Sequence, residues 1–156
     1  MRPPGRPKGS YRSAQHEGTP VITEAPVRKI PAPLLNPEAQ PFFQAAVESR
    51  LLYKSCEACG RPHHPPRSIC PHCHSDRTQW KASAGRGEVY SASRLRRGVP
   101  VPFCVAYVTL DEGVTMMSDL VDFGDATPPV GTRVQVRFVA AEGGAKVPMF
   151  GPAEAW

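Results

Sequence analysis

The stretch CEACGRPHHPPRSICPHCHSD, residues 56–76, holds four of the chain's five cysteines. Their spacing is Cys56-x2-Cys59-x10-Cys70-x2-Cys73. A C-x-x-C turn places two thiolates on one side of an ion, and a second such turn completes a tetrahedron with metal–sulfur bonds of about 2.3 Å. This is a zinc ribbon pattern, and it predicts a structural Zn2+ held by Cys56, Cys59, Cys70 and Cys73. Four thiolates leave no open coordination position, so the site is structural rather than hydrolytic. Two matched pairs fit shared ligation better than a thioredoxin-like redox centre. His63, His64, His72 and His74 stand beside the cysteines and are read as solvated or packing side chains. The surrounding segment has few large apolar side chains, namely Leu51, Leu52, Tyr53, Ile69 and Trp80. A structural zinc contributes an apparent ~10–16 kcal/mol, and the segment is expected to hold no fixed shape without it.

Outward from the cysteines, LYKSC and TQWKAS read as two short strands flanking the ribbon. Before them, PFFQAAVESRLL reads as a short helix, with Pro41 at a first helical position and Phe43, Ala46, Val47 and Leu51 on one face. A partner-docking helix is the alternative to a core-facing one. After the ribbon the pattern is all-β. GEVYSASR, PFCVAYVTL, VTMMSDLV, TRVQVRFVA and VPMFGP are five short strands with Gly/Pro turns between them. PFCVAYVTL is apolar at both sets of alternate positions, which suits a central strand. A turn at Asp111, Glu112 and Gly113 predicts a hairpin. In TRVQVRFVA, Val134, Val136 and Phe138 are expected inward and Arg133, Gln135 and Arg137 outward. A five-stranded Greek-key barrel of the OB type is the predicted architecture. Cys104, in the most apolar strand, is read as a buried, inert thiol.

The fold class is therefore mainly β: an N-terminal helix plus zinc ribbon, then a five-stranded OB-fold barrel. The expected division is a basic, Pro-rich tail and strap over 1–37, helix and ribbon over 38–83, and the OB-fold domain over 84–156. Residues 1–20 lack large apolar side chains and are expected to be disordered. Residues 21–37, VITEAPVRKIPAPLLNP, suit an extended strap lying on the chain's own surface or a partner's. Residues 1–37 carry six Lys/Arg and two Glu, a net of +4; residues 38–156 carry thirteen Lys/Arg and twelve Asp/Glu, a net of +1. The basicity lies in the tail, which weakens a nucleic-acid reading. The N-terminus has no apolar run after its basic residues, and no segment is long enough to cross a bilayer as a helix. A cytoplasmic location is the expectation.

Taken together, the helix, the ribbon, GRGEVYSASRLRRG, PFCVAYVTLDEG, LVD, PVGTRVQVRF and VPMFGPA resemble the zinc-ribbon/OB-fold proteins that accompany thiolase-like acyl-CoA enzymes, which carry a rubredoxin-like ribbon and an acyl-CoA-associated OB-fold domain. The resemblance covers roughly residues 38–152. It implies a small non-catalytic partner of thiolases, condensing enzymes or related retro-aldolases acting on acyl-CoA, in a hetero-oligomer. It implies zinc at the four cysteines and supplies no catalytic residue on this chain. Two departures stand out. Phe42-Phe43 replaces an aromatic pair that usually ends in Trp, and His74 stands where Gly often follows the last cysteine. That second position tends to need φ > 0, which His tolerates less readily than Gly.

The leading reading is an accessory subunit of an acyl-CoA C-acyltransferase or retro-aldolase, helping assembly and CoA-thioester binding. Within SRLRRGVPVPF, residues 93–103, Arg94, Arg96 and Arg97 are the candidate contacts for CoA phosphates; a solvated hairpin tip is the alternative. The second reading is a single-stranded nucleic-acid module, stacking bases on Tyr90, Phe103, Tyr107, Phe138 or Phe150, with at least half of these expected in the core. An independent enzyme is the weakest reading.

Overall fold

Asn36 begins the first element in the computed structural model, which describes residues 27–153. The expected tail over 1–26 lies outside the described residues. The Asn36 carbonyl accepts from the N–H groups of Ala39 and Gln40, and its Oδ1 accepts from Ala39 N–H at 2.7 Å. Helix α1 follows over Gln40–Val47. Ser49, with φ 60°, stops it: Arg50 N–H reaches the Ala45 carbonyl and Ser49 N–H the Ala46 carbonyl, both at 2.9 Å. That pair of bonds is a Schellman ending. The helix is therefore shorter than the sequence pattern implied. It buries Phe42, Ala45 and Ala46 rather than the Phe43–Ala46–Val47–Leu51 stripe; Val47 is exposed, and Leu51 belongs to the next strand.

Strands β1 (Leu51–Cys56), β2 (Pro62–His63) and β3 (Thr78–Ser83) form a small antiparallel sheet in the order β2-β1-β3. β1 and β3 pair from Leu51↔Ser83 to Cys56↔Thr78, so the two strands expected around the cysteines are neighbours.

The five remaining strands are those expected: β4 (Arg86–Leu95), β5 (Phe103–Leu110), β6 (Thr115–Leu120), β7 (Arg133–Ala140) and β8 (Lys146–Pro152). They close into a barrel in the order β4-β5-β6-β8-β7. The β5–β6 hairpin turns through Gly113 at φ 81°, with Gly113 N–H bonded to the Leu110 carbonyl. The β6–β8 seam is closed by one parallel pair, Leu120↔Phe150. Alternation puts Cys104, Ala106, Val108 and Leu110 of β5 inside. Phe103, Val105 and Tyr107 face out, so β5 is buried on one face and not on both. A closed barrel has a single interior, and only cover from elsewhere can shelter the outer row. On β7, Val134 is fully buried, while Val136, Phe138 and the expected outward residues Gln135 and Arg137 are all partly buried.

Glycines and one carboxylate fix the junction between sheet and barrel. Gly85 has φ 72°, and a Cβ there would lie 2.3 Å from Val136 Cγ1; one on Gly87 would lie 2.5 Å from the Thr109 carbonyl oxygen. Glu112 accepts from Ser83 Oγ at 3.0 Å and from Ala84 N–H at 2.8 Å. Phe42 of α1 and Leu51 of β1 belong to the same buried cluster as Val89, Val108 and Phe150 of the barrel. Residues 27–36 form an extended strap across the barrel. Its Arg28 forms an ion pair with Asp119 and lies 3.6 Å over the Phe103 ring, and its Ile30 carbonyl accepts from Glu142 N–H at 2.9 Å. The described part of the strap thus lies on the chain's own body.

Candidate functional site

The two C-x-x-C turns are built alike. In the first, Cys56 N–H donates to the Arg61 carbonyl (3.0 Å) and Gly60 N–H to the Cys56 carbonyl (2.9 Å). In the second, Cys70 N–H donates to the Ser75 carbonyl and His74 N–H to the Cys70 carbonyl, both at 2.9 Å. Gly60 and His74 occupy the same left-handed position, at φ 73° and 61°. The departure noted at His74 is thus a real backbone demand, met by a residue with a Cβ.

These turns converge four sulfurs. Sγ of Cys56 lies 3.6 Å from that of Cys73, and Sγ of Cys59 lies 3.8 Å from that of Cys70. All four atoms lie within 4.8 Å of one another. A regular tetrahedron with bonds of 2.3 Å has edges of about 3.8 Å, so the donor set fits one Zn2+. Electrostatics agree. The backbone N–H of Cys59 does most to lower the Cys56 thiol, which sits at about 7. At Cys73 the N–H of Ser75 lowers the thiol, but burial and the Cys56, Cys59 and Cys70 sulfurs outweigh it and push it up to about 12. Four thiolates crowd one another unless a cation sits among them. Cys56 and Cys70 are buried, and Cys59 and Cys73 are exposed.

Among the described residues, no histidine joins this group of sulfurs. His72 is exposed, with Nε2 3.4 Å from the Pro62 carbonyl. His63 is buried, with Nε2 3.5 Å from the Arg67 carbonyl. His64 packs against Phe42 with ring centroids 5.3 Å apart, which joins the ribbon to α1. Burial, and secondarily the neighbouring His63, hold His64 down to about 4. Cys104 is buried, and desolvation raises its thiol above the ordinary value.

The three arginines of the β4–β5 region occupy different settings. Arg94 has a side chain only 7% exposed. Its Nη2 donates to the carbonyls of Gly124 and Ala126, bracing the loop after β6. Arg96 is exposed and donates to the Asp125 carbonyl at 3.2 Å; Arg97 is exposed on the loop. Of the aromatic candidates, Phe150 is fully buried, Phe138 and Phe103 are partly buried, and Tyr90 and Tyr107 are exposed. Phe103 is capped by Arg28 rather than open to a base. Sequence reasoning missed the bracing role of Arg94, the Glu112 latch and the Arg28 clamp, because each depends on a partner 28 or more residues away in the chain.

Comparison with known proteins agrees with this construction. Residues 43–79 match the ChsH2 rubredoxin-like zinc ribbon domain, and residues 80–139 match the ChsH2 C-terminal OB-fold domain. A "probable enoyl-CoA hydratase alpha subunit" of Thermomonospora curvata is 32% identical over 127 residues, 79% of this chain and 40% of that protein. The chain thus matches well under half the length of that relative. A "DUF35 domain-containing scaffold protein" of Methanothermobacter thermautotrophicus is 30% identical over 89 residues, 53% of this chain and 67% of that protein. Among solved structures, a chain of the "Ltp2-ChsH2(DUF35) aldolase" superposes with a TM-score of 0.68 at 31% identity, covering 78% of this chain and 98% of that one. A DUF35 protein of Sulfolobus solfataricus, 17% identical, shares the fold with a TM-score of 0.56, covering 76% of this chain and 87% of that one. A thiol tetrahedron on paired knuckles, a closed five-stranded barrel behind it and matches to both domain models lead to one assignment: the chain belongs to the DUF35 family, in its ChsH2 form of rubredoxin-like zinc ribbon followed by OB-fold domain.

Proposed function

We propose that the chain is a non-catalytic accessory subunit of a thiolase-like acyl-CoA enzyme, either a C-acyltransferase or a retro-aldolase. The observation that carries this reading is the superposition on 98% of a chain from the Ltp2-ChsH2(DUF35) aldolase. On this reading, Cys56, Cys59, Cys70 and Cys73 hold one Zn2+, whose contribution is a cross-link between the two knuckles. A filled tetrahedron offers no position for water or substrate, so the centre stiffens the ribbon rather than reacting. Helix and ribbon, 38–83, form the docking knob, and the barrel, 84–156, faces the CoA thioester. Arg96 and Arg97 are the exposed cations for CoA phosphates, and Arg94 braces the loop beside them. The reacting groups lie on the partner.

The test has two parts. The purified chain is expected to carry one zinc per molecule by elemental mass spectrometry. It is also expected to co-elute with a thiolase-like enzyme from its source and to raise that enzyme's turnover of acyl-CoA. A chain that stays solitary with every candidate condensing enzyme refutes the assignment. Within a productive complex, replacing Arg96 and Arg97 by Ala is expected to weaken acyl-CoA binding about tenfold, one charge-assisted contact being worth roughly 1.4 kcal/mol or more. Unchanged binding removes these two residues from the proposal.

A further inference from the structure

Two cavities meet at the end of the barrel that carries the β4–β5 loop. One, of about 300 Å3, is lined by Arg94, Phe103, Cys104, Leu120, Phe123 and Met149 among others. The second, of about 410 Å3, lies under Val99–Val101 of the loop. Val27, Arg28 and Phe103 line both, so the strap borders each of them. The strap is held there at two points, by the Arg28–Asp119 ion pair and by the Ile30 carbonyl on Glu142 N–H. Volumes of this size are those of small-molecule sites, which are mostly apolar with a few placed polar groups.

The placed group is Arg94. Its side chain is 93% buried, from an exposure of 7%. Nη2 is satisfied by two backbone carbonyls, but Nε is buried with no hydrogen-bond partner. The nearest carboxylate, on Asp125, lies 3.9 Å from Nη1 and is fully exposed, so water screens most of its charge. A buried guanidinium with one unmet N–H and a weak counter-ion favours an incoming acceptor, and an anionic one most. The other charges on this cavity are Arg28, already paired with Asp119, and Asp122, which is exposed at its edge. The remaining walls are mostly apolar: Leu120, Val121, Phe123, Val139 and Met149.

We propose that this strap-bordered cavity is a binding site for a monocarboxylate with an apolar body, its head drawn to the Arg94 guanidinium and its tail along Leu120, Val139 and Met149. The site stands apart from the CoA reading, since such a ligand carries neither nucleotide nor phosphate. The probe is decanoate, titrated below its micelle concentration into the full zinc-loaded chain and followed by calorimetry, with decan-1-ol as the uncharged control. Decanoate is expected to bind saturably, one per chain, and decan-1-ol at least tenfold more weakly. Arg94→Met is expected to lose at least tenfold in decanoate affinity, provided its thermal melt shows an intact fold. Val139→Trp fills the cavity, leaves Arg94 in place and is expected to lose as much. Absence of saturable decanoate binding, equal affinity for the alcohol, or unchanged binding in Val139→Trp overturns the proposal.

Discussion

The largest fully buried side chains divide sharply between the two halves of the molecule. The barrel contributes Phe150, Val89, Val108, Val134 and Cys104; the ribbon contributes only Cys56 and Cys70. Strand β5 of the barrel alternates cleanly between inside and outside, whereas β3 of the ribbon contains no buried residue at all. Apolar burial orders the barrel at about 25 cal/mol per Å2 removed from water. The ribbon lacks the area for that, and its cohesion rests on the four converging sulfurs. The lesson is that one chain can fold by two separate driving forces, each sensitive to a different perturbation.

The sharpest way to break the comparison is to remove the metal. Chelation, or Cys70→Ser, is expected to cost the ribbon an apparent ~10 kcal/mol or more. Hydrogen exchange should then show free exchange over residues 51–83, with protection surviving in β4–β8. Loss of protection throughout the barrel would show that the two halves do not separate. The converse experiment is Phe150→Ala, expected to cost about 3–5 kcal/mol. Its denaturant midpoint should fall while the zinc content stays at one per chain.

A third test addresses the joint between the halves. His64 is held neutral against Phe42, with its protonation lowered to about 4 from the ordinary 6.5. Between those values the unfolded chain binds the proton and the folded chain does not. Stability is therefore complete above about pH 6.5 and falls as the pH drops towards 4, by on the order of 2–3 kcal/mol. His64→Phe, compared with the parent across pH 7 to 4, should remove that slope while leaving any loss from thiolate protonation in place. The smallest effect is expected at the second knuckle. His74→Gly should raise the ribbon's stability by up to about 1 kcal/mol, because a non-Gly residue pays roughly that to sit at positive φ. A lower denaturant midpoint would mean that the His74 side chain has a favourable role that outweighs its backbone strain.

These two halves were also unequally legible in the sequence. The cysteine cluster could be read because its geometry is local: each C-x-x-C turn presents its own pair of sulfurs, and only the meeting of the pairs is tertiary. The barrel strands could be read from alternation and turn residues, Gly113 among them. The helix end could not, because Ser49 takes a positive φ that gives no sequence signal of the kind a glycine would. That the outer row of β5 faces away from the core was equally hidden, since Phe103, Val105 and Tyr107 are as apolar as their inward neighbours. Arg94 looked like a surface charge, and only the loop at 122–126 makes it a buried brace.

The strap has a practical consequence. The barrel's weakest seam, a single residue pair between β6 and β8, borders the hollow lined by Ile30, Pro31, Met117 and Pro148. A shortened protein starting at the helix would keep every knuckle and strand yet lay bare the flank of Phe103, Val105 and Met149. Its greater tendency to clump during purification would then reflect a missing cover rather than a faulty fold.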